Sequence, residues 1–429
     1  MERRDDQVSL AATFDDWTLG RKVPFLSTNA GAGLLPFQDW RRFKEAFTPE
    51  IVYRAVHESA IPVSTCLDPF GGSGTTALCA QFLGIHPITA EVNPFLADLI
   101  EAKLASYNSD RLASDLGAVI RRATEIRLTS RTFSYLPKTF VQPGIDDRWL
   151  FNRDVAKEIF RIRCAIETLT DDTNRRFFQV LLGGVLVNCS NALTSGKGRR
   201  YRKNWEKRPV EPRDVSTAFV TAAQNAMSEI YRFRNRGVTS YDVVRGDARN
   251  TLDHIYDVDL AIFSPPYPNS FDYTDVYNIE LWMLGYLSNR EENATLRGAT
   301  LSSHVQLIRK YSPAPKSDIL AHVLQRLTDR RLSLWSRWIP DMVGAYFADI
   351  LTVMNAVHRA LRPRGRAWVI VGDSKYSDVL IPTADILIDL ASARWQVITR
   401  EPFRSMRSSP QQGGERNLEE TLVVLEPLA

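Results

Sequence analysis

The chain has 429 residues, 44 % of them apolar and 24 % charged, which argues against long disorder and, at about 150 residues per domain, anticipates two to three domains with a large core. Lysine plus arginine number 54 and aspartate plus glutamate 50, a net charge of +4; so small a total neither demands nor forbids a nucleic-acid partner, because binding follows local clustering. No run of about 18 apolar residues and no apolar leader after residues 1–6 is present, so no membrane span and no cleaved secretory signal are expected. Four scattered cysteines (Cys66, Cys79, Cys164, Cys189) without C-x-x-C, and six histidines without H-E-x-x-H, predict neither a metal site nor a disulfide framework, and the expected compartment is the cytoplasm.

Residues 62–67 are apolar and partly β-branched and meet a glycine-rich turn, which reads as a buried strand. Residues 75–83 suit a helix, and 86–92 a second strand with Glu91 near its end. Asn93 and Pro94 then form a cap and first turn for another helix. Strand, helix, strand, helix predicts a parallel sheet. From 108 to about 240 the pattern becomes helical: Val155, Ile159, Ile162 and Ile166 recur at helical spacing, as do Phe178, Leu182 and Val185. A long charged loop is expected over 190–213. Strands resume at 241–244 and 258–263. Met342, Tyr346, Ile350 and Val357 mark a long amphipathic helix that should stop near Pro363 and Gly365. The remaining strands are expected at 366–371, 395–399 and 421–425. The economical organisation is one doubly wound α/β domain, 1–107 with 241–429, split by a largely helical insertion at 108–240.

Two segments carry chemistry. Residues 68–76 read Asp-Pro-Phe-Gly-Gly-Ser-Gly-Thr-Thr. Glycines between strand and helix let backbone approach a ligand, and the helix N-terminus offers free N–H groups. An ordinary βα turn would account for the glycines as well. The spacing Gly72-x-Gly74-x-x-Ala77, with Glu91 downstream, also fits a dinucleotide fingerprint. Against NAD or FAD stand Asp68 and Pro69 ahead of the glycines, and the lack of other hydride-transfer features. The second segment, Ser264-Pro265-Pro266-Tyr267, follows a strand. Two prolines have fixed φ and no N–H, so they hold a stiff turn between a hydroxyl and an aromatic ring.

Together these segments resemble the amino-group DNA methyltransferases, which modify cytosine N4 or adenine N6, over about 35–107 and 241–427. The resemblance implies a Rossmann-like sheet that binds S-adenosyl-L-methionine. It assigns Asp68, Phe70, Gly72, Gly74 and Thr75 to the turn around the cofactor, Glu91 to the ribose hydroxyls and Asp247 to the adenine amino group. Phe47, Thr48 and Pro49 match the segment that closes over the methionine end, with Thr48 the candidate binder; Thr48 also reads as a helix N-cap before Pro49. Ser264, Pro265, Pro266 and Tyr267 become the catalytic set. The Ser264 hydroxyl and Pro265 carbonyl accept from the target amino group, and Tyr267 stacks on a flipped base. Serine at 264 favours cytosine N4, with adenine N6 the alternative. The order, with the glycine turn before the catalytic segment, departs from that of most N4-cytosine enzymes. An RNA amino-methyltransferase and a non-catalytic binding protein are more distant readings. Asp272 and Asp275 read as helix caps, with a place lining the same pocket the alternative.

DNA is the expected partner. Over 195–208, Lys197, Arg199, Arg200, Arg202, Lys203, Lys207 and Arg208 face one acid, Glu206, with Tyr201 and Trp205 interleaved. Such a run can neutralise phosphates and stack bases, or simply be a solvated loop. Arg404, Arg407 and Arg416 form a second basic set. The insertion is the candidate target-recognition region, and 286–340 the next. A cognate restriction endonuclease or other defence-system partner is an option that the resemblance opens.

Overall fold

The computed structural model describes residues 11–42, 46–129, 131–195, 198–207, 210–269, 271–307, 309–403, 407–408 and 417–428. Seven strands form the central sheet: β1 Thr65–Asp68, β2 His86–Glu91, β3 Asp242–Arg245, β4 Val258–Phe263, β5 Leu361–Gly372, β6 Trp395–Pro402 and β7 Glu420–Pro427. All seven coincide with the expected strands. Their spatial order is β6-β7-β5-β4-β1-β2-β3. Strands β1 to β5 pair in parallel, and β7 is antiparallel to both its neighbours. A dinucleotide-binding sheet runs 3-2-1-4-5-6. The antiparallel β7 wedged between β5 and β6 sets this chain apart from that order.

Because the side-chain period in a strand is two, each strand feeds both faces. Cys66, Leu260, Ile262, Trp368, Ile370, Leu422 and Val424 point into one core. Leu67, Ala90, Ala261, Phe263, Ala367, Val369, Val371, Val423 and Leu425 point into the other. Helices α1 Pro49–His57, α2 Thr75–Phe82 and α3 Pro94–Leu104 cover the first face. Asn93 caps α3, accepting from the N–H groups of Phe95 (3.0 Å) and Leu96 (3.4 Å).

The inserted residues form α4 Ser109–Glu125, α5 Arg153–Glu167, α6 Asp172–Leu186 and α7 Pro212–Arg232. Their apolar stripes, including Ile159, Ile162, Phe177, Phe178 and Phe219, belong to the same core as strand residues Cys66 and Leu260. The insertion therefore shares a core with the sheet. The segment expected as a long loop is largely ordered instead. Ala192–Ser195 and Gly198–Tyr201 pair as an antiparallel hairpin, and Trp205–Lys207 makes a 3₁₀ turn. Buried aromatics override the local charge signal: Trp205 is 8 % exposed and meets Trp149 edge-on at 5.0 Å.

On the second face, α8 Ile339–Ala360 passes directly into β5, and α9 Thr383–Ala391 packs beside it. The turn expected at Pro363 and Gly365 lies inside the early part of β5, where Arg364 has φ 64°.

A buried ion pair locks the segment that follows the 264–267 turn. Arg41 Nε and Glu280 Oε1 are 2.7 Å apart at 7 % and 0 % exposure, and the Arg41 guanidinium lies 5.4 Å from the Tyr277 ring centroid. Removing one partner leaves an uncompensated charge in the interior. Glu280→Ala is therefore expected to cost about 3–5 kcal/mol of unfolding free energy. Urea denaturation reads this directly, and a change below about 1 kcal/mol would contradict it.

Candidate active site

A cavity of about 340 Å³ opens at the carboxyl ends of β1, β2 and β4, where open α/β sheets bind ligands. Asp68 ends β1. Its Oδ1 accepts from the Phe70 N–H at 2.9 Å, shaping the turn. The Gly71 N–H donates to the Ala90 carbonyl at 2.9 Å, drawing the turn onto β2. A Cβ on Gly71 would lie 2.3 Å from Thr89 Cγ2 and 2.8 Å from Ile100 Cδ1, so only glycine fits. Gly74 caps α2 at φ 79°, a left-handed conformation that glycine adopts without strain.

Glu91 ties the turn to α3. Its Oε2 accepts from the Gly72 N–H and its Oε1 from the Asn93 N–H, both at 2.8 Å. A carboxylate has about four lone-pair sites, so acceptor capacity remains for a ligand. Burial pushes the Glu91 carboxyl up to about 7, outweighing the N–H groups it accepts, and Asp68 nearby adds to the rise. Burial likewise raises Asp68 to about 6. Under the turn, the fully buried Lys103 donates from Nζ to the Ser73 carbonyl at 2.7 Å, and burial lowers its ammonium to about 7.

At the end of β4, Ser264, Pro265, Pro266 and Tyr267 all line the same cavity. Ser264 Oγ donates to Tyr267 Oη at 3.2 Å. Its proton is thereby used, and its lone pairs are left to accept. The Tyr376 hydroxyl donates to the Pro268 carbonyl at 3.0 Å and fixes the following residue. Asp272 caps the helix Tyr273–Val276, as expected, accepting from the Thr274 N–H at 3.0 Å.

Asp68, Phe70, Gly72, Thr75, Glu91 and Asp247 line the cavity together with residues 264–267. Two expected cofactor residues do not. Gly74 serves the turn, as above. Thr48 is fully buried, and its hydroxyl donates to the Pro24 carbonyl at 2.6 Å and accepts from the Leu26 N–H at 3.1 Å. It holds the N-terminal segment, while Ala46 and Phe47 beside it reach the cavity. It does stand at the N-cap position before Pro49, without a side-chain cap bond. Asp247 is gripped by Arg249, whose Nη2 lies 2.6 Å from Oδ2 and whose Nε lies 3.0 Å from both oxygens.

Several wall residues had no sequence signal. Ser27 donates to Glu420 across 393 residues, and both line the cavity. Residues 299–304 contribute Ala299, Thr300, Leu301, Ser303 and His304. No local pattern marks such residues, because only the fold brings them together.

The basic run divides. Arg200 and Lys203 are exposed. Arg199 is half-buried, 5.3 Å from the Phe140 ring centroid. Arg202 donates to the Ser190 carbonyl at 3.2 Å and the Val187 carbonyl at 3.0 Å, a structural tie. Trp205 is packed inside. Lys197, Arg208, Arg404 and Arg416 lie outside the described residues, as do Phe43, Lys44 and Glu45, and only the backbone of Arg407 is described. Among the described residues no group of acidic, histidine or cysteine side chains could hold a metal, and no helix is long and apolar enough to cross a membrane.

The cavity suits S-adenosyl-L-methionine: apolar walls of Phe47, Phe70 and Leu96 for the purine and thioether, and two desolvated carboxylates for cationic and hydroxyl groups. Sheet, turn and cavity define an S-adenosyl-L-methionine-dependent methyltransferase. Residues 21–102 match the family described as DNA methylase. The Type II methyltransferase M.BsoBI of Geobacillus stearothermophilus is 23 % identical over 416 residues, spanning 85 % of this chain and 79 % of that protein. The Type II methyltransferase M.AvaI of a Nostoc strain is 23 % identical over 407 residues, spanning 87 % and 81 %. Over these spans the chain is similar to amino-group DNA methyltransferases. A solved rRNA methyltransferase, aviRa of Streptomyces viridochromogenes, aligns over 88 % of this chain and 83 % of its own at 10 % identity and TM-score 0.28, too loose to bear on substrate.

Proposed function

We propose that this protein is a site-specific DNA methyltransferase that modifies cytosine N4, the modification arm of a bacterial or phage restriction or defence system acting in the cytoplasm. The observation that carries the reading is that 264–267 and the 68–75 turn with Glu91 line one cavity. S-adenosyl-L-methionine, when bound, supplies an electrophilic sulfonium methyl. Asp68, Phe70, Gly72, Thr75 and Glu91 hold it, Glu91 through lone pairs left for the ribose diol. Phe47 and Ala46 cover the methionine end in the place expected of Thr48. At the target, the amino lone pair is delocalised into the ring. The Ser264 oxygen and Pro265 carbonyl accept its hydrogens and favour the pyramidal geometry needed for attack, while Tyr267 stacks on the extruded base. With the amino group held in this way, the bound cofactor would supply the methyl, and the proton given up by the amino nitrogen would pass to solvent water. Incubation with DNA and cofactor, followed by mass spectrometry of digested nucleosides, should show N4-methylcytosine. N6-methyladenine alone would overturn the base assignment. Adenine N6 remains the second reading because of the motif order. The same cavity chemistry would serve RNA, and a non-catalytic binder would not need the intact 264–267 segment.

Cofactor affinity should depend on pH. Glu91 and Asp68 are pushed up to about 7 and about 6, and both are proposed to bind as carboxylates. Affinity should therefore be full near pH 8 and fall as pH drops through 7 towards 6, approaching tenfold per pH unit for each proton that binding must displace. Calorimetry over that range checks this. Glu91→Gln should weaken binding and flatten the profile, and a flat wild-type profile would remove both carboxylates from the proposed site.

For DNA, we propose that Arg199 and Arg200 on the hairpin and Lys203 just after it meet phosphate, with Lys197 in the same run; Arg202 supports the hairpin from within. Replacing Arg200 and Lys203 by alanine should weaken binding to all sequences alike and lower the salt slope by about one per lost contact. Fluorescence anisotropy across a salt series measures it. An unchanged slope would shift attention to 286–340, where Trp335 and Trp338 are exposed.

A further inference from the structure

Of the nine tryptophans, only Trp335 and Trp338 are exposed, at 60 % and 40 %, and Leu332 beside them is fully exposed. A cluster of large apolar side chains left in water marks a surface that something covers. The fold places this cluster at the cavity end of the sheet. β5 begins level with the start of β4 and runs parallel to it, and α8 passes straight into β5. α8 therefore returns from the carboxyl ends of the strands, where the cavity opens, to their amino ends. Its 22 residues rise about 33 Å and the 6 of β4 span about 20 Å, so the start of α8 overhangs the strand ends by about 10 Å. Asp349 marks the level of the cavity wall: it meets the Ser302 N–H at 2.8 Å and Arg249 at 2.9 Å, and Leu301 and Ser303 line the cavity. Ile339, next to Trp338, lies about 15 Å further along the helix axis.

Two contacts fix the base of the segment. Arg330 Nη2 donates to Asp378 Oδ2 at 2.7 Å, in the hairpin 374–381 whose Tyr376 holds the Pro268 carbonyl. Arg331 pairs with Asp341 on α8 at 3.1 Å. Leu334 packs on the core of the second sheet face. On the first face, the helix Tyr273–Val276 packs against the hairpin strand Gly198–Tyr201. The tryptophans and the basic hairpin thus flank the 264–267 turn from opposite faces of the sheet. Arg326, Arg330 and Arg331 are taken up by Asp378 and Asp341. Arg337 is exposed and pairs with no carboxylate among the described residues, and its guanidinium lies 4.8 Å from the Trp338 ring centroid. Aromatic rings beside an unpaired cation suit a partner that offers flat rings and anionic groups together, the chemistry of a nucleic acid. A second copy of the patch would bring like charge to like charge. A base drawn into the cavity stays joined to its strand, so the duplex must lie across this rim.

We propose that residues 332–338 form the second wall of the DNA cleft, and that Trp335 stacks on the base pair beside the extruded nucleotide, in the space that nucleotide vacates. Arg337 meets the adjoining phosphate. The inference rests on the base-flipping methyltransferase reading above. Apolar side chains inserted between base steps are a known way to hold a duplex open, and an indole does so without regard to sequence because every base has a flat face. Trp335 takes no part in the transfer itself.

The test uses the full-length enzyme and a duplex containing a sequence it methylates, found by single-molecule sequencing of DNA from an expressing host. Binding is followed by fluorescence anisotropy across a salt series. Trp335→Ala should weaken binding about 10- to 100-fold with the salt slope unchanged, because an indole neutralises no phosphate. Trp335→Phe, which keeps a stacking face, should recover part of the loss, and Arg337→Ala should lower the slope by about one. S-adenosyl-L-methionine binding to the free variants within about twofold of wild type reports an intact fold. 2-Aminopurine placed beside the target base should stay quenched with wild type and brighten with Trp335→Ala, which leaves that neighbour without a stacking partner. DNA affinity of Trp335→Ala within about twofold of wild type would overturn the proposal. So would equal quenching by wild type and variant, which would place the indole outside the vacated space. A dimer in sedimentation that Trp335→Ala dissociates, with DNA affinity intact, would assign the patch to a second copy instead. Failure of wild type to bind or methylate any DNA would sink the methyltransferase reading itself.

Discussion

Tyr267→Ala is expected to lower methyl transfer at least about 100-fold while leaving S-adenosyl-L-methionine affinity within about twofold. Two losses combine. Stacking on an extruded base contributes about 1–3 kcal/mol, up to about two orders of magnitude in rate. The ring also places the Ser264 oxygen, because Ser264 Oγ donates to Tyr267 Oη. Without that acceptor the hydroxyl rotates, and its lone pairs are no longer reserved for the amino group. Tyr267→Phe separates the two effects: it keeps the stacking face and frees the serine, so its loss should be smaller, about tenfold. Single-turnover transfer of labelled methyl to DNA, with cofactor binding measured on the same preparations, distinguishes these outcomes. Tyr267→Ala with wild-type turnover would remove the segment from catalysis. Tyr267→Phe as damaging as Tyr267→Ala would place the whole effect in the hydroxyl.

Gly71→Ala is expected to reduce S-adenosyl-L-methionine affinity by at least about tenfold and to cost about 1–3 kcal/mol of stability. The added methyl would sit 2.3 Å from Thr89 Cγ2 and 2.8 Å from Ile100 Cδ1. Ile100 can turn its terminal methyl away. Thr89 is β-branched, buried and stiff at χ1, so the turn must move, and Gly71 would lose its bond to the Ala90 carbonyl. Displacing Gly71 displaces Gly72, whose N–H meets Glu91. A second change supplies the control. Thr89→Ser deletes Cγ2, and the double variant should regain much of the affinity. Calorimetric titration reads binding and thermal unfolding reads stability. An unaffected Gly71→Ala variant, or a double variant no better than the single, would refute the steric argument.

What the residues announce by themselves and what they do not divides along physical lines. The inner strands β1, β4 and β5 were visible as short apolar runs, because buried parallel strands do not tolerate polar interruption. The cap at Asn93 and Pro94 was visible because few residue types can start a helix. The 68–76 turn and 264–267 stood out because close backbone approach and fixed φ demand glycine and proline at set positions. The hairpin at 192–201 was missed because its charged sequence mimics a loop, whereas Trp149–Trp205 packing and the Arg202 ties to the Ser190 and Val187 carbonyls form only in three dimensions. Thr48 was legible as an N-cap, yet its hydroxyl is taken by the Pro24 carbonyl, a partner 24 residues away. The basic run was legible as charge, while the use of Arg202 to tie backbone carbonyls was not.

The sequence by itself determined the sheet, the 68–76 turn, the Glu91 carboxylate at the end of β2 and the 264–267 turn, since each is a short-range pattern enforced by backbone geometry. Tertiary structure alone decided which side chains complete the cavity. Ser27 reaches Glu420 from the opposite end of the chain, Arg249 takes up Asp247, and Arg309 meets His304. Those pairings depend on strand order and on the path of 299–309 across the sheet. They are set by long-range packing, which leaves no periodicity or motif in the sequence to be read.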